Sequence, residues 1–270
     1  MSEPMHAVVT GAASGIGQAT ARALRDQGCR ITVIDRNDPG DVADHWVSLD
    51  LDDPGAGLPV LDAPVDILIN AAGLPPRTGT EAAVLRVNFL ALRRITLHLL
   101  PSVSKGGSIV NLASKAGAHW RENIDQVRRL MTHSDTERLE DFVRDENIDP
   151  VRSYDLSKEA VIVWTKAMTA PLLQRGLRMN CLSPAAVETP ILDDFVTAFG
   201  ARASRGIELT KRTGTPQEVA AIIAFLASPK AEWVRGCNIE TDGGLTAILE
   251  AETIIGANTA EAANVLTRGR

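Results

Sequence analysis

The stretch that decides the fold is Thr10-Gly11-Ala12-Ala13-Ser14-Gly15-Ile16-Gly17. A short apolar run, His6–Thr10, leads into it, and apolar residues then return at three- and four-residue intervals over Ile16–Gln27. The pattern predicts strand, glycine turn and helix in succession. Gly11, Ser14, Gly15, Ile16 and Gly17 stand where a backbone must approach a pyrophosphate held at a helix N-terminus. There the first N–H groups are unpaired and the helix dipole favours an anion. A glycine turn also serves plain packing, and the strand before it and the helix after it are what favour a dinucleotide.

Working outward, a second apolar run, Arg30–Asp35, ends on a carboxylate 18 positions beyond Gly17. A carboxylate there accepts from the adenosine ribose hydroxyls and repels a 2′-phosphate, which favours NAD(H) over NADP(H). Arg36, immediately after it, is the opposing feature, since it offers a phosphate partner. Further strands are predicted over Trp46–Leu49, Val65–Asn70, Ser108–Ala113, Leu177–Leu182 and Cys237–Glu240, with helices over Glu81–Leu100, Tyr154–Gln174 and Pro216–Ala227. Strands alternating with helices imply an α/β fold: one doubly wound, Rossmann-type parallel sheet of about seven strands, spanning 1–270 as one domain. The connections 36–45 and 51–64 have room for a turn or two and no crossover helix. Asp50-Leu51 and Asn70-Ala71-Ala72-Gly73 follow the third and fourth strands, at the carboxyl edge where ligands bind. Singly, each is as much a turn as a contact.

The stretch 118–153 departs from this rhythm. It carries Arg128, Arg129, Asp135, Glu137, Arg138, Glu140 and Asp141 at the spacing of two short amphipathic helices, and reads as a helical insertion. The tail after Gly244 is mildly apolar and suits either a fold back over the site or packing on a neighbouring subunit.

Composition narrows the function. The 270 residues carry a formal charge of −6, which argues against nucleic acid or an anionic membrane as the main partner. Apolar residues make up 44% and charged residues 23%, ordinary for a globular protein. No apolar run is long enough to span a bilayer, and Met1–Met5 runs straight into the first strand without a leader pattern. A cytoplasmic protein is expected. Cys29, Cys181 and Cys237 are far apart, and the five histidines form no ligand motif, so no metal site is expected.

Tyr154-Asp155-Leu156-Ser157-Lys158 places a phenol and an ammonium at i and i+4, on one face of a helix. A free phenol titrates near about 10, and a cation beside it favours the phenolate, moving it toward the range useful for proton transfer. Such a pair is commonplace on a helix surface. It gains weight here because Tyr154 is the chain's one tyrosine and the dinucleotide-type turn lies upstream.

Together these motifs resemble the short-chain dehydrogenases/reductases over most of the chain. The turn at Thr10–Gly17 resembles that family's TGxxxGxG, Asn70–Gly73 its NAG, Tyr154–Lys158 its YxxxK and Asp242-Gly243-Gly244 its closing DGG. The resemblance implies that Tyr154 is the acid/base, that Lys158 tunes it and holds the cofactor ribose, and that Ser114 meets the substrate oxygen. It also implies that Asn88 holds a proton-relay water. Pro184–Thr189 resembles PGxVxT, implying cofactor contacts from Val187 and Thr189. Ala185 replaces the glycine, which puts that turn in doubt.

Ser114 precedes Tyr154 by 40 positions, where most of the family leaves a dozen or so. With the short second and third connections, this is similar to the bacterial 3α-hydroxysteroid dehydrogenase/carbonyl reductase and coniferyl-alcohol dehydrogenase branch. His119 and Trp120, where the insertion leaves the sheet, are pocket candidates, as are Leu192, Phe195, Val196 and Phe199, which have the spacing of a lid helix. The family often pairs subunits through the helix bearing the tyrosine, and an insertion there obstructs that face. A homodimer is therefore expected over a tetramer.

The expectation is hydride exchange between NAD(H) and a secondary alcohol or ketone, hydroxysteroid-like or otherwise cyclic. Its alternatives are an aryl or terpene alcohol or a dihydrodiol with the same residues, and, more remotely, a dinucleotide sensor without chemistry.

Overall fold

A computed structural model describes residues 3–134 and 138–255. The chain runs through β1 (His6–Thr10), α1 (Gly15–Asp26), β2 (Arg30–Asp35), β3 (His45–Ser48), β4 (Val65–Asn70), α2 (Glu81–Leu85), a π-helical stretch (Arg86–Ala91), α3 (Leu92–Leu99) and β5 (Val103–Leu112). It continues with α4 (Ile124–Thr132), α5 (Leu139–Asp145), α6 (Pro150–Ala167), α7 (Thr169–Gln174), β6 (Arg178–Pro184), α8 (Leu192–Phe199), α9 (Ala201–Thr210), α10 (Pro216–Ala227), β7 (Asn238–Thr241) and α11 (Leu245–Ile255).

The seven strands form one parallel sheet in the order β3-β2-β1-β4-β5-β6-β7. The chain lays strands outward from β1 in one direction, then returns to add β4 on its other side. The turns after β1 and β4 therefore diverge, and the crevice between them is where such sheets bind ligands. Both faces are covered. One buries Ala21 and Leu24 of α1 with Val219 and Ile223 of α10. The other buries Phe89, Ile95, Leu156 and Val161 from the π stretch, α3 and α6.

Several boundaries differ from the sequence pattern for physical reasons. β5 begins at Val103, five residues before Ser108, because Val103 pairs with Val65 before the register shifts. Lys105-Gly106-Gly107 hides that start in the sequence, and Gly106 takes φ +87°. α6 begins at Pro150. The Asp149 carboxylate accepts from Arg152 N at 2.7 Å and Pro150 occupies the first turn, a strong helix start. Residues 150–153 are thus the first turn of the tyrosine helix. The predicted helix to Gln174 divides at Met168, since Pro171 has no N–H to donate to Ala167. Only a 3-10 turn, Gly40–Val42, breaks the connection between β2 and β3.

Within 118–153, α4 lies on α6 and α5 lies on α2, burying Val127, Leu130, Leu139 and Phe142. The Glu159 carboxylate, 1% exposed, accepts from Arg152 at 2.6 and 3.0 Å and from Asn123 at 2.7 Å. Arg152 Nε also donates to Gln126 at 2.8 Å, tying α4 to the tyrosine helix. Asp135, Glu137 and the tail beyond residue 255 lie outside the described residues. Within the described part, α11 is tied to α9 by Arg205 and Glu252 at 2.8 Å.

Candidate active site

A cleft of about 430 Å³ opens at the carboxyl edge of the sheet. Its first wall is the glycine turn. A Cβ on Gly17 would lie 2.1 Å from the Gly11 carbonyl oxygen, and one on Gly11 would lie 2.5 Å from the Ala72 backbone. No side chain fits between β1, α1 and the segment after β4. Thr10 Oγ1 holds that segment, accepting from Ala71 N and Ala72 N at 3.1 and 3.2 Å. Ser14 caps α1 in extended conformation without a side-chain bond, so the first N–H groups of α1 take no side-chain oxygen from their own cap. Thr189 stands opposite, its Cγ2 3.2 Å from where a Gly15 Cβ would lie.

Asp35 closes β2 with one carboxylate oxygen accepting from Ala13 N and the other from Asn37 N, each at 2.9 Å. Both oxygens keep a lone pair for a further donor. Asp50 and Leu51 line the wall beside it, and Arg36 lies 3.6 Å from the Asp50 carboxylate. The loop after β6 carries Val187 and Thr189 into the cleft, held by Gly214 N to Ala186 O and Glu188 N to Gly214 O, both 2.9 Å. Ala185 adopts no positive φ, so the methyl that put this turn in doubt is accommodated. The close-packed turn, an uncapped helix end and Asp35 at the strand tip fit a nicotinamide dinucleotide.

The other end is built on α6. Tyr154 and Lys158 project from one face, with the ammonium 5.5 Å from the centre of the phenol ring and donating to the Leu112 carbonyl at 2.9 Å. Ser114 lines the cleft as N-cap of the 3-10 turn Lys115–His119, its Oγ accepting from Ala116 N at 3.2 Å. Gly117 makes this possible, because a Cβ there would lie 2.8 Å from Ile162 and the Lys158 backbone. The turn bearing Ser114 is thereby pressed onto α6, although Ser114 and Tyr154 are 40 positions apart.

α8 and α9 cover this end. Phe195 meets the Tyr154 ring edge-on at 4.9 Å, and Phe199 does so at 6.0 Å. Leu192, Val196, Ile207 and Leu245 extend the apolar wall. Tyr154 is left 7% exposed. Burial pushes its phenol above the ordinary range; Ser114 and Arg202 draw it back, while Asp155 adds to the rise. This corrects the expectation of a phenol lowered by Lys158. Burial is the largest influence on the phenol, and it also pushes the Lys158 ammonium down to about 8.

Asn70, His119 and Trp120, expected at the site, lie outside the cleft wall. Asn70 is buried behind the wall, donating to Thr96 and Asn111 at 2.8 Å, because the pleat turns it into the sheet's packed face. Asn88, in the π-helical stretch, is also absent from the wall. Its amide brackets the Leu74 backbone, accepting from N at 2.7 Å and donating to O at 3.1 Å, and it reaches Ser157 at 3.3 Å. Trp120 points away from the cleft to pack on the core, with Arg121 and Lys166 over its ring, and His119 pairs with Glu122 at the surface. The sequence reading missed Leu74, Pro75, Ala116 and Arg202. Arg202 continues the 195/199 stripe at i+3, which was a usable signal.

Comparison with known proteins agrees with this geometry. The chain is 37% identical over 243 residues to the coniferyl-alcohol dehydrogenase of Pseudomonas sp. strain HR199, covering 88% of this chain and 95% of that one. It belongs to the short-chain dehydrogenase/reductase family. The family model described as short chain dehydrogenase matches residues 5–46, and one described as enoyl-(acyl carrier protein) reductase matches residues 142–246. The 3-alpha-hydroxysteroid dehydrogenase/carbonyl reductase of Comamonas testosteroni is 29% identical, with 90% of this chain and 96% of that one covered. The solved 3-alpha-hydroxysteroid dehydrogenase from Pseudomonas sp. B-0831, complexed with NADH, superposes with a TM-score of 0.75 at 26% identity, covering 92% of this chain and 99% of that one. This short-chain dehydrogenase/reductase is an oxidoreductase of alcohol or ketone substrates that works with a nicotinamide dinucleotide.

Proposed function

We propose that the protein is an NAD-dependent dehydrogenase of apolar, ring-bearing secondary alcohols, with Tyr154 as acid/base. The observation that carries this reading is the convergence of Ser114, Tyr154 and Lys158 beneath the Phe195/Phe199 lid, facing the glycine turn across one cleft. The dinucleotide, when bound, accepts or returns hydride at its nicotinamide ring. Tyr154 Oη takes the carbinol proton as the hydride departs, and returns it in the reverse direction. Ser114 Oγ holds the substrate oxygen. Lys158, its ammonium 5.5 Å from the centre of the phenol ring, offers donors to the cofactor ribose. The apolar lid excludes water, which strengthens each of these interactions.

Asp35 supports NAD over NADP, since a 2′-phosphate there would face a carboxylate; Arg36, its one rival, is drawn toward Asp50. Asp35 and the cell's NAD⁺ pool favour oxidation, in the cytoplasm. The three residues between Tyr154 and Lys158 speak for carbonyl chemistry over enoyl reduction. An aryl alcohol is the second reading. It is favoured by the near-parallel Phe195 and Phe199 rings, 6° apart in plane, and by the 37% identical relative. A homodimer is favoured because α4 packs on α6.

Reduction of NAD⁺ and NADP⁺ measured against steroid, cyclic aliphatic, aryl, terpene and short aliphatic alcohols tests the reading. Turnover of ring alcohols with NAD⁺ preferred is expected. Activity confined to short aliphatic alcohols, or preference for NADP⁺, would contradict it.

A further inference from the structure

Asp155, the residue after Tyr154, plays no part in the chemistry described above, yet it is nearly enclosed at 15% side-chain exposure. One carboxylate oxygen, Oδ1, is buried without a hydrogen-bond partner among the described residues. The other accepts from Arg202 of α9 at 2.8 Å. The Arg202 guanidinium also lies 4.7 Å from the Phe199 ring centre, and Phe199 and Phe195 close over the tyrosine. One side chain therefore touches the lid aromatics and the helix position beside the acid/base.

We propose that Asp155 and Arg202 are a positioning pair that fastens the α8–α9 lid to the catalytic helix and couples lid closure to the charge felt by Tyr154. With the lid closed, Arg202 neutralises Asp155. With the lid released, Asp155 remains a carboxylate beside the phenol and opposes its ionisation, so proton abstraction is favoured only under a closed lid. The inference rests on Tyr154 being the acid/base, and concerns what sets its readiness.

The remaining charges near the pair do not duplicate it. On α6, Lys158 is bonded to Leu112, while Arg152 is engaged with Glu159. From the turn after β5, Ser114 and Lys115 line the cleft. From α8, Asp194 is held by Arg77 at 2.7 and 2.9 Å, a second fastening of the lid at its other end. Asp155 and Arg202 are the opposing charges that act on Tyr154, the first raising and the second lowering its titration point.

The test uses a property of this chain: Tyr154 is its one tyrosine. Protein labelled at the ζ carbon of tyrosine gives a single resonance whose shift reports phenol ionisation, independent of any substrate. At one alkaline pH, where Asp155 is ionised in every form, Arg202→Gln is expected to lower the phenolate fraction roughly three- to tenfold, a shift of about half to one pH unit. Asp155→Asn is expected to raise it by a similar factor. The double variant should return near wild type, and Arg202→Lys should restore most of the Arg202→Gln change. General loosening of the fold would move both single variants the same way. Shifts in the same direction, or no shift in either, would overturn the proposal; failure of Tyr154 to act in catalysis would appear in turnover instead and leave these titrations unchanged.

Discussion

Lys158 is stationed where its ammonium is useful and where the fold would rather not have it charged. Its titration point falls from an ordinary 10.5 to about 8 through burial. Between those values the unfolded chain binds more protons than the folded one, so stability rises with pH across that window; below about 8 the full cost remains. That cost is about 3 kcal/mol. Lys158→Met is expected to raise the unfolding free energy at neutral pH by about 1–3 kcal/mol while abolishing turnover, with urea denaturation as the measurement. Reduced stability of that variant would show that the bond to Leu112 outweighs the burial. Spacing made Tyr154, Lys158 and Asp35 legible, because i/i+4 and strand-end positions fix which way a side chain points. Asn70 and Trp120 were misplaced because nearness along the chain does not say on which side of a wall a side chain lies.

At the scale of elements, α4 and α6 are joined by a buried carboxylate. Glu159 has Arg152 and Asn123 as partners, and removing the guanidinium leaves a buried charge without its counter-ion. Arg152→Ala is expected to cost about 3–5 kcal/mol, read as a lower denaturation midpoint, and Arg152→Lys to cost less. A change within about 0.5 kcal/mol would mean that water reaches Glu159. The strands and the helix over Pro216–Ala227 were legible because fully buried parallel strands are short apolar runs bounded by turn residues. The start of α6 was legible in Asp149-Pro150 yet went unread, since the charged residues before it suggested that the insertion ran to Ser153. The π-helical turn at Arg86–Ala91 leaves no such mark: the apolar spacing continues through it.

For the whole molecule, the sheet order follows from two outward runs of crossovers from β1, and that topology creates the crevice the glycine turn and Tyr154 share. The position of the lid over the cleft was half legible: the phenylalanine spacing showed a stripe, and only packing on α6 showed where it faced. With α4 packed on α6, light scattering is expected to give a dimer, and a tetramer would contradict that assignment. The central claim is that Tyr154 carries the proton while the rest of the cleft holds the cofactor. Paired measurement on Tyr154→Phe, of turnover with an alcohol oxidised by the wild type and of NADH binding by fluorescence, tests it most directly. The expected result is a loss of about 10²-fold or more in kcat with NADH affinity kept within a few-fold. Substantial residual turnover, with NADH still bound, would contradict it.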